Sequence, residues 1–346
     1  MFGVTVKDHT GVSFANLTTF GVGGPIARVR DCAYALEVQD AVKEAKDAGL
    51  PWLVVGGGSN LLAGEAPFEG DVIRLSGLTQ TYWDGSEVRV AAGVSWDALV
   101  LDSVERGFAG LECMSGIPGH VGGAAVQNVG AYGQDISSVL VEADVYDSET
   151  DEFATLALAE CMYAYRSSVM KGSQRYVVLG VTLKLRRALT GTAAFAELQR
   201  TLGTGKVGLA DVRAAVLAAR ASKGMVLDPS DSDTRGAGSF FVNPVVSADA
   251  ACTLLAAHPQ CPNYEAPNGQ RKLAAAWLIE GAGYPRGTVR GAVGQSGKHA
   301  LALVNRGGAT GEHVWAYASE IAAAVHAKFG VQLTPEPVAV SLPSFR

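Results

Sequence analysis

Charge is scarce in this sequence. Charged residues make up 18% of its 346 positions, against about 25% in an average soluble protein. The 34 acidic residues outnumber the 28 basic ones, which gives a net charge of −6. Proteins that bind nucleic acid usually carry an excess or a stripe of positive charge, so we predict no nucleic-acid partner. An anionic ligand would have to be held by backbone amides and a few local cations.

Cysteine motifs are also lacking. The five cysteines are widely spaced, and no CxxC pair, HxxxH or HExxH sequence accompanies them. These absences argue against a structural zinc site, and we predict no metal. Scattered thiols are typical of a reducing compartment, and the first ten residues lack the apolar stretch of a signal peptide. We therefore expect a cytoplasmic protein.

Long uncharged runs are few, and residues 113–134 form one that needs an explanation. These 22 residues contain no Asp, Glu, Lys or Arg, and the stretch is long enough to cross a bilayer. However, it holds six glycines together with Pro118 and His120, which would leave a lipid-exposed helix poorly packed. We predict a buried, loop-rich segment and no membrane insertion.

Glycine, by contrast, is abundant: 42 residues, or about 12% where about 7% is usual. Three successive glycines in the stretch Gly56-Gly57-Gly58-Ser59-Asn60 can turn their N–H groups toward one anion such as a pyrophosphate, although a tight turn explains them equally well. The stretch Ser115–Gly133 spaces Gly116, Gly119 and Gly122 by three residues. That spacing in an apolar context favours close approach to a flat cofactor.

Three polar residues outside the glycine stretches could carry chemistry. Arg166 suits bidentate binding of a carboxylate, but a surface arginine is the simpler interpretation. The hydroxyl of Ser239 could donate a proton, act as a nucleophile or cap a turn. Glu336 lies between two prolines, where partial burial would raise the pKa of its carboxyl group toward an acid–base role, or it could be an exposed carboxylate. Singly, none of these residues identifies a function.

The hydrophobic pattern predicts a mixed α+β protein. Helical periodicity predicts six helices, at Ala35–Leu50, Trp96–Arg106, Ala210–Lys223, Ala248–Ala257, Lys272–Glu280 and Glu312–Phe329. Alternating or short apolar runs predict strands at Pro51–Val55, Asp71–Leu75, Thr81–Trp83, Glu87–Gly93, Ser138–Asp147, Arg175–Arg186, His299–Asn305 and Val331–Val340. The polar, turn-rich run 224–239 indicates a domain junction or an ordered binding loop.

Eight blocks of sequence, taken in order, are far more specific than any single motif. They resemble the UDP-N-acetylenolpyruvoylglucosamine reductase family, in its longer form, over essentially the whole chain. The blocks are LTTFGVGG (Leu17–Gly24), VVGGGSNLL (Val54–Leu62), SGIPGHVGGAAVQNVGAYG (Ser115–Gly133), YRSSVMK (Tyr165–Lys171), GSFFVNP (Gly238–Pro244), KLAAAWLIEGAG (Lys272–Gly283), HALALVN (His299–Asn305) and FGVQLTPEP (Phe329–Pro337).

The resemblance implies a two-subdomain FAD-binding fold of the vanillyl-alcohol-oxidase type plus a C-terminal α+β substrate-binding domain. Residues 1–76, with 330–346 returning to them, would form the first FAD subdomain, residues 77–223 the second, and residues 224–329 the substrate domain. The implied FAD-binding residues are Gly56, Gly57, Gly58, Ser59, Asn60, Ser115, Ile117, Pro118, Gly119, Gly122, Gly123 and Ala124.

The implied reaction completes UDP-N-acetylmuramate synthesis for peptidoglycan. NADPH, as co-substrate, reduces FAD, and the flavin then passes hydride to the enolpyruvyl ether of UDP-N-acetylglucosamine enolpyruvate. By this resemblance Arg166, Ser239 and Glu336 are catalytic: they would bind the substrate carboxylate, supply the proton and assist as a protonated acid. Tyr165, Lys223 and Asn243 would bind the rest of the substrate, and we expect a monomer.

Two positions depart from the family pattern. Phe195 stands where the longer form usually has a tyrosine that closes over the nucleotide, and Val242 replaces a residue that is polar in many relatives. Two other functions also stay open: another FAD oxidase or dehydrogenase of the same fold, which would lack the trio Arg166, Ser239 and Glu336, and a nucleotide-sugar-binding protein without redox activity.

Overall fold

The computed structural model describes residues 7–192 and 196–345 and contains both helices and strands throughout. The α+β class is therefore confirmed. In chain order the helices are α1 (Ala35–Asp47), α2 (Trp96–Glu105), α3 (Val121–Gln127), α4 (Ala196–Leu202), α5 (Leu209–Ala221), α6 (Ala248–Ala257), α7 (Ala275–Gly281) and α8 (Gly311–Phe329).

The strands are mostly short, and their pairings include both consecutive strands and strands that are distant in sequence. They are β1 (Lys7–His9), β2 (Ile26–Asp31), β3 (Trp52–Val55), β4 (Leu61–Ala63), β5 (Phe68–Arg74), β6 (Thr81–Asp84), β7 (Glu87–Ala91), β8 (Phe108–Ala109), β9 (Gly130–Ala131), β10 (Gln134–Asp135), β11 (Leu140–Asp147), β12 (Glu152–Ala157), β13 (Tyr176–Lys184), β14 (Arg186–Arg187), β15 (Thr190–Thr192), β16 (Lys206–Gly208), β17 (Val245–Val246), β18 (Asn263–Glu265), β19 (Arg271–Leu273), β20 (Val289–Arg290), β21 (Val293–Gln295), β22 (Leu303–Asn305) and β23 (Val338–Val340).

The chain divides into two compact units, each assembled from separate segments. Unit 1 comprises residues 1–13, 25–58 and 67–222, and unit 2 comprises residues 14–24, 59–66 and 223–346. This division is coarser than the three predicted domains, whose boundaries stay a prediction.

Unit 1 contains two main sheets. One has the order β1-β2-β5-β3 and pairs β2, β5 and β3 in parallel. Helix α1 turns Val38, Ala41, Val42 and Ala45 inward, at the i, i+3, i+4, i+7 spacing of a helix that packs on one face. The other sheet, with the order β12-β11-β13-β7-β6, is antiparallel, and its core includes the fully buried Trp96 of α2.

Unit 2 is built around α8, the longest helix. Its buried face contributes Val314, Ile321 and Val325 to a core that also holds Phe240 and Phe241. Thr310 caps the start of α8 by accepting the N–H of His313 at 3.2 Å, and Gly330 ends it with a φ of +67°. Two three-stranded sheets, β17-β19-β18 and β20-β21-β22, and the parallel pair β23-β4 complete the unit.

The uncharged stretch 113–134 is buried in part, and it contains helix α3 and strand β9, so it is more regular than the predicted loop-rich segment. No helix in residues 7–192 and 196–345 combines the length and the apolar character that a membrane span requires. Over the same residues, no three His, Cys, Asp or Glu side chains converge as a metal-binding group.

Candidate functional site

In unit 1 the first glycine-rich loop touches the second. Strand β3 leads into Gly56–Gly58, and a Cβ added to Gly57 would lie only 2.9 Å from the Cα of Gly119, so a side chain there would collide with backbone. Gly58 has a φ of +62°, which only glycine adopts without cost. The two stretches therefore form one surface of closely packed backbone.

The second loop is fixed by an acidic side chain at the start of α2. Asp97 accepts the N–H of Gly116 at 2.6 Å and two hydrogen bonds from Arg213 of α5, at 2.6 and 2.7 Å. Burial by itself would raise the pKa of Asp97, but these donors outweigh it and hold the pKa below its usual value. Because the ionised carboxylate ties three segments together, it keeps the loop in place.

Arg166 occupies a strained tight turn in the same unit. Ala164 and Ser167 exchange backbone hydrogen bonds of 3.0 and 3.1 Å, and between them Arg166 has a φ of +54°, which is unfavourable for a residue with a Cβ. Its guanidinium donates to the carbonyls of Asn128 (3.3 Å) and Gly130 (2.5 Å) and lies 5.4 Å from the ring centre of Tyr165. The strain and these bonds fix where its charge sits.

Asn128 supports this turn from the other side. It is buried, has a φ of +46° at the end of α3, and its side-chain amide donates to the carbonyl of Ala164 at 2.8 Å. The side chain of Arg166 therefore holds the backbone at Asn128, and the side chain of Asn128 holds the backbone of the turn at Ala164.

In unit 2, Ser239 and Glu336 lie on paired segments. The N–H of Glu336 donates to the carbonyl of Phe240 at 2.8 Å, and Val242 donates to Thr334 at 3.1 Å, with Phe241 bridged antiparallel to Pro335. Phe240 and Phe241 are buried and anchor this pairing in the core. Ser239 and Glu336 are both half-buried, and the backbone of Glu336 is bonded to the residue that follows Ser239, although 97 residues separate Ser239 from Glu336 in sequence.

Asn60 ties the same carboxylate-bearing segment to β4. Its side-chain amide donates to the backbone carbonyl of Glu336 at 3.2 Å, and its own carbonyl accepts the N–H of Val338 at 2.9 Å. The side chain of Asn60 therefore contacts protein, and the FAD-binding role that the family resemblance implies for this residue stays a prediction.

The predicted substrate residues have different surroundings. Lys223 is half-buried and precedes Gly224. The side-chain oxygen of Asn243 accepts the N–H of Ala275 at 2.9 Å, so it also satisfies a donor at the start of α7. Val242 is half-buried beside it, and Phe195 lies outside the described residues.

Comparison with known proteins adds to this geometry. The model of the "FAD binding domain" family matches residues 26–153, and that of "UDP-N-acetylenolpyruvoylglucosamine reductase, C-terminal domain" matches residues 228–340. A UDP-N-acetylenolpyruvoylglucosamine reductase of Thermobifida fusca is 46% identical, over 98% of this chain and 99% of its own length. The chain belongs to the UDP-N-acetylenolpyruvoylglucosamine reductase family. It is therefore an FAD-containing oxidoreductase, as the sequence predicted.

Other members of the reductase family agree. The enzyme of Streptomyces avermitilis is 44% identical, over 98% of this chain and 96% of its own. The crystal structure of the Thermus caldophilus reductase superposes with a TM-score of 0.68 at 26% identity and covers 97% of this chain and 99% of that one. The similarity thus extends over the whole chain.

The glycine surface fits the FAD that the reductase family uses. Gly123, in the first turn of α3, is exposed, and a Cβ on it would meet no heavy atom within 4 Å. Three residues earlier, the buried Nδ1 atom of His120 has no hydrogen-bond partner among the described residues. A bound group would explain both observations, because it would fill the open space beside Gly123 and give the buried nitrogen of His120 a hydrogen-bond partner.

Other predicted FAD residues of the reductase face the protein interior. Gly122 packs against Ala92, which follows β7, because a Cβ on Gly122 would lie 2.8 Å from the Cβ of Ala92. Ser115 is buried and donates to the carbonyl of Glu112 at 2.7 Å, and Ala124 is buried too. Ile117 and Pro118 are half-buried. These residues pack within the protein, so any contact that the residues make with FAD would use their backbone groups.

The sequence alone missed two arginines of α5. Arg213 holds Asp97, and Arg220 lies two turns further along the same helix face. Burial lowers the pKa of Arg220 to about 10, with the charge of Arg166 lowering it further while Tyr132 and Asp97 oppose the change. Two arginines seven residues apart on one face were the signal that could have revealed this cluster of positive charge.

Proposed function

We propose that this reductase converts UDP-N-acetylglucosamine enolpyruvate to UDP-N-acetylmuramate with NADPH as co-substrate. The observation that supports it most directly is the backbone pairing of two segments, one of which carries the hydroxyl of Ser239 and the other the carboxyl group of Glu336. Bound FAD would take two electrons from NADPH and pass hydride to the terminal vinyl carbon of the substrate. The other new bond, a C–H bond at the carbon that bears the carboxylate, needs a proton from the protein.

The FAD would lie against the backbone of the two glycine-rich stretches. Gly56–Asn60 would hold its pyrophosphate through successive N–H groups. Ser115–Ala124 would line the flavin and its diphosphate, where the loop between Asp97 and α3 leaves room for it. This arrangement needs few charged side chains, in keeping with the low charge of both stretches.

Arg166 would bind the substrate carboxylate. Hydride addition leaves negative charge on the adjacent carbon and on this carboxylate, so a guanidinium held in advance stabilises the charge as it develops. The bonds from Arg166 to the carbonyls of Asn128 and Gly130 support this role, because a fixed cation loses little freedom when the substrate binds.

Ser239 would donate the proton, and Glu336 would assist. A hydroxyl is a weak acid, but the carbanion that it protonates is strongly basic. Glu336 would act best as a protonated acid that donates a hydrogen bond, since an ionised carboxylate would oppose the negative charge on the substrate.

Lys223 would contact the diphosphate of the UDP group, Asn243 would help to hold the nucleotide, and Tyr165 would pack near the sugar. The bond between Asn243 and Ala275 uses only the side-chain oxygen of Asn243, which leaves its amide hydrogens as donors for the nucleotide. A cytoplasmic monomer, with three domains at 1–76 (to which 330–346 return), 77–223 and 224–329, completes the proposal.

Anaerobic half-reactions of Ser239→Ala test this function. Bleaching of the flavin by NADPH should stay at the wild-type rate, whereas reoxidation by the enolpyruvyl substrate should slow by about 10²–10⁴-fold, the usual contribution of a positioned proton donor. Ser230→Ala is the matched control, because Ser230 is an exposed serine of the same unit whose hydroxyl bonds to Asp228.

Unchanged reoxidation in Ser239→Ala would remove Ser239 from the role of proton donor. A purified wild-type protein without flavin absorbance, even after FAD is added, would overturn the proposed reaction and favour a nucleotide-sugar-binding protein.

A further inference from the structure

His120 is held rigidly at the junction of the two glycine-rich stretches. Its backbone forms an antiparallel bridge with Ser95, and its carbonyl accepts the N–H of Ala124 at 2.9 Å as α3 begins. A Cβ placed on Gly56 would lie 3.6 Å from the Cβ of His120 and 3.7 Å from its Nδ1 atom. The imidazole therefore lies against the first glycine of the loop Gly56–Gly58.

The Nδ1 atom of this imidazole is buried and has no hydrogen-bond partner among the described residues. Buried polar atoms in folded proteins almost always have a partner. Ser115, in the same loop, and Asp97 of α2, which holds the loop, have their partners within the protein. The unsatisfied nitrogen thus points to a partner that is not part of the polypeptide.

We propose that His120 binds FAD through Nδ1, and that the protein takes up a proton at His120 when FAD binds. The inference rests on the proposed location of the FAD diphosphate at Gly56–Gly58. A neutral imidazole can donate one hydrogen bond from Nδ1 to a phosphate oxygen, and the protonated ring adds a positive charge to that bond.

The direction of the proton linkage follows from the surroundings of His120. In the protein without ligand, burial lowers the pKa of His120, and the positive charge of Arg74 on β5 lowers it further. Arg74 is itself paired with Asp31 of β2, at 2.7 Å. A diphosphate beside the imidazole would raise this pKa. The affinity for FAD should therefore increase as the pH falls through the pKa of His120 in the FAD complex. The increase should end once the pH is below the pKa of His120 in the protein without FAD.

Titration of the apoprotein with FAD at several pH values between 5 and 8 tests the proposal. The wild-type Kd should fall with decreasing pH, by up to about tenfold for each unit by which FAD raises the pKa. His120→Gln keeps a hydrogen-bond donor but cannot titrate, so its Kd should not vary with pH. His120→Leu should bind FAD more weakly at every pH, by about tenfold or more. His326→Gln, at an exposed position of α8, should follow the wild type.

Two results would overturn the proposal: His120→Gln with the pH dependence of the wild type, or His120→Leu with the affinity of the wild type. If neither variant folds, isothermal titration calorimetry of FAD binding to the wild type in two buffers of different ionisation enthalpy measures proton uptake directly. FAD binding without proton uptake near pH 6 would also overturn the proposal. Each of these outcomes concerns FAD affinity alone, and the half-reactions of Ser239→Ala test the proposed function separately.

Discussion

The side-chain amide of Asn60 donates a hydrogen bond to the backbone carbonyl of Glu336 across 3.2 Å, although 276 residues separate the two in sequence. A second bond, from the N–H of Val338 to the carbonyl of Asn60 at 2.9 Å, fixes the segment on its other side. Together the two bonds fix the register of the segment Glu336–Val338 relative to β4. The position of the Glu336 carboxyl group therefore depends on Asn60.

Asn60→Asp tests this dependence. The change keeps the size of the side chain but replaces the N–H donor with a carboxylate oxygen that repels the Glu336 carbonyl. We expect reoxidation of the flavin by the enolpyruvyl substrate to slow by about tenfold, which corresponds to the roughly 1.4 kcal/mol that one lost hydrogen bond represents. Bleaching by NADPH, measured at saturating FAD, should stay within about twofold of the wild type.

Asn268→Asp is the matched control, because Asn268 is exposed in unit 2 and its φ of +57° is tolerated by Asp. Equal rates of reoxidation in Asn60→Asp and the wild type would show that Glu336 does not depend on this bond.

The neighbouring glycines of α3 should respond in opposite ways to alanine. Gly123→Ala places a methyl group in open space, so the free energy of unfolding of the apoprotein should rise by about 0.5–1 kcal/mol from helix propensity while FAD binds more weakly. Gly122→Ala forces a methyl group to within 2.8 Å of the Cβ of Ala92, and overpacking of this kind costs about 1–3 kcal/mol. Urea unfolding of the apoprotein and FAD titration measure both effects, and unchanged FAD affinity in Gly123→Ala would move the cofactor away from α3.

Asp97→Asn should destabilise the reductase in a pH-dependent way. The amide cannot replace the charged bonds to Arg213, so we expect a loss of about 1–3 kcal/mol at pH 7. Because the pKa of Asp97 is lowered in the fold, its contribution is fully present above the ordinary carboxyl pKa and disappears as the pH falls through the lowered value. The difference from the wild type should therefore shrink as the pH falls below the ordinary carboxyl value of about 4.

Denaturant unfolding at pH 7, 4 and 3 measures this difference. Asp40→Asn, at an exposed position of α1, provides the comparison. A stability gap that stays constant down to pH 2 would mean that Asp97 acts through its shape and not its charge.

The elements with regular hydrophobic periodicity were predicted well. The helix at Ala248–Ala257 has the predicted bounds, and the predicted helix Ala35–Leu50 ends three residues early, at Asp47. Helix α3 was missed because Gly122 and Gly123 have poor helix propensity. Close packing against Ala92 explains the glycine at position 122, and no local pattern shows that packing.

Other errors came from contacts between residues distant in sequence. The predicted helix Lys272–Glu280 begins only at Ala275, because residues 271–273 form β19 between β17 and β18. The predicted strand His299–Asn305 is limited to Leu303–Asn305.

For the candidate site, the residue types and the order of the sequence blocks indicated the family. The contacts between the site residues became visible only in the structure. No local pattern in the sequence indicates that Asn60 bonds to Glu336, or that Asp97 and Arg213 hold Gly116. His120 is different, because a histidine inside a glycine-rich, uncharged stretch is a visible anomaly. Only its unsatisfied nitrogen, however, turns that anomaly into a hypothesis.

The segments of the two units alternate along the sequence, which limits where the chain can be divided into fragments that fold. Unit 2 needs residues 14–24 and 59–66 as well as everything after residue 222, and β23 has its strand partner in β4, near the beginning of the chain. A fragment that starts at Lys223 would therefore leave β23 unpaired and expose core positions filled by Phe20, Val22 and Leu62. During synthesis, unit 2 cannot be completed until the last strand has left the ribosome, so this reductase should resist both domain dissection and stepwise folding from the N-terminus.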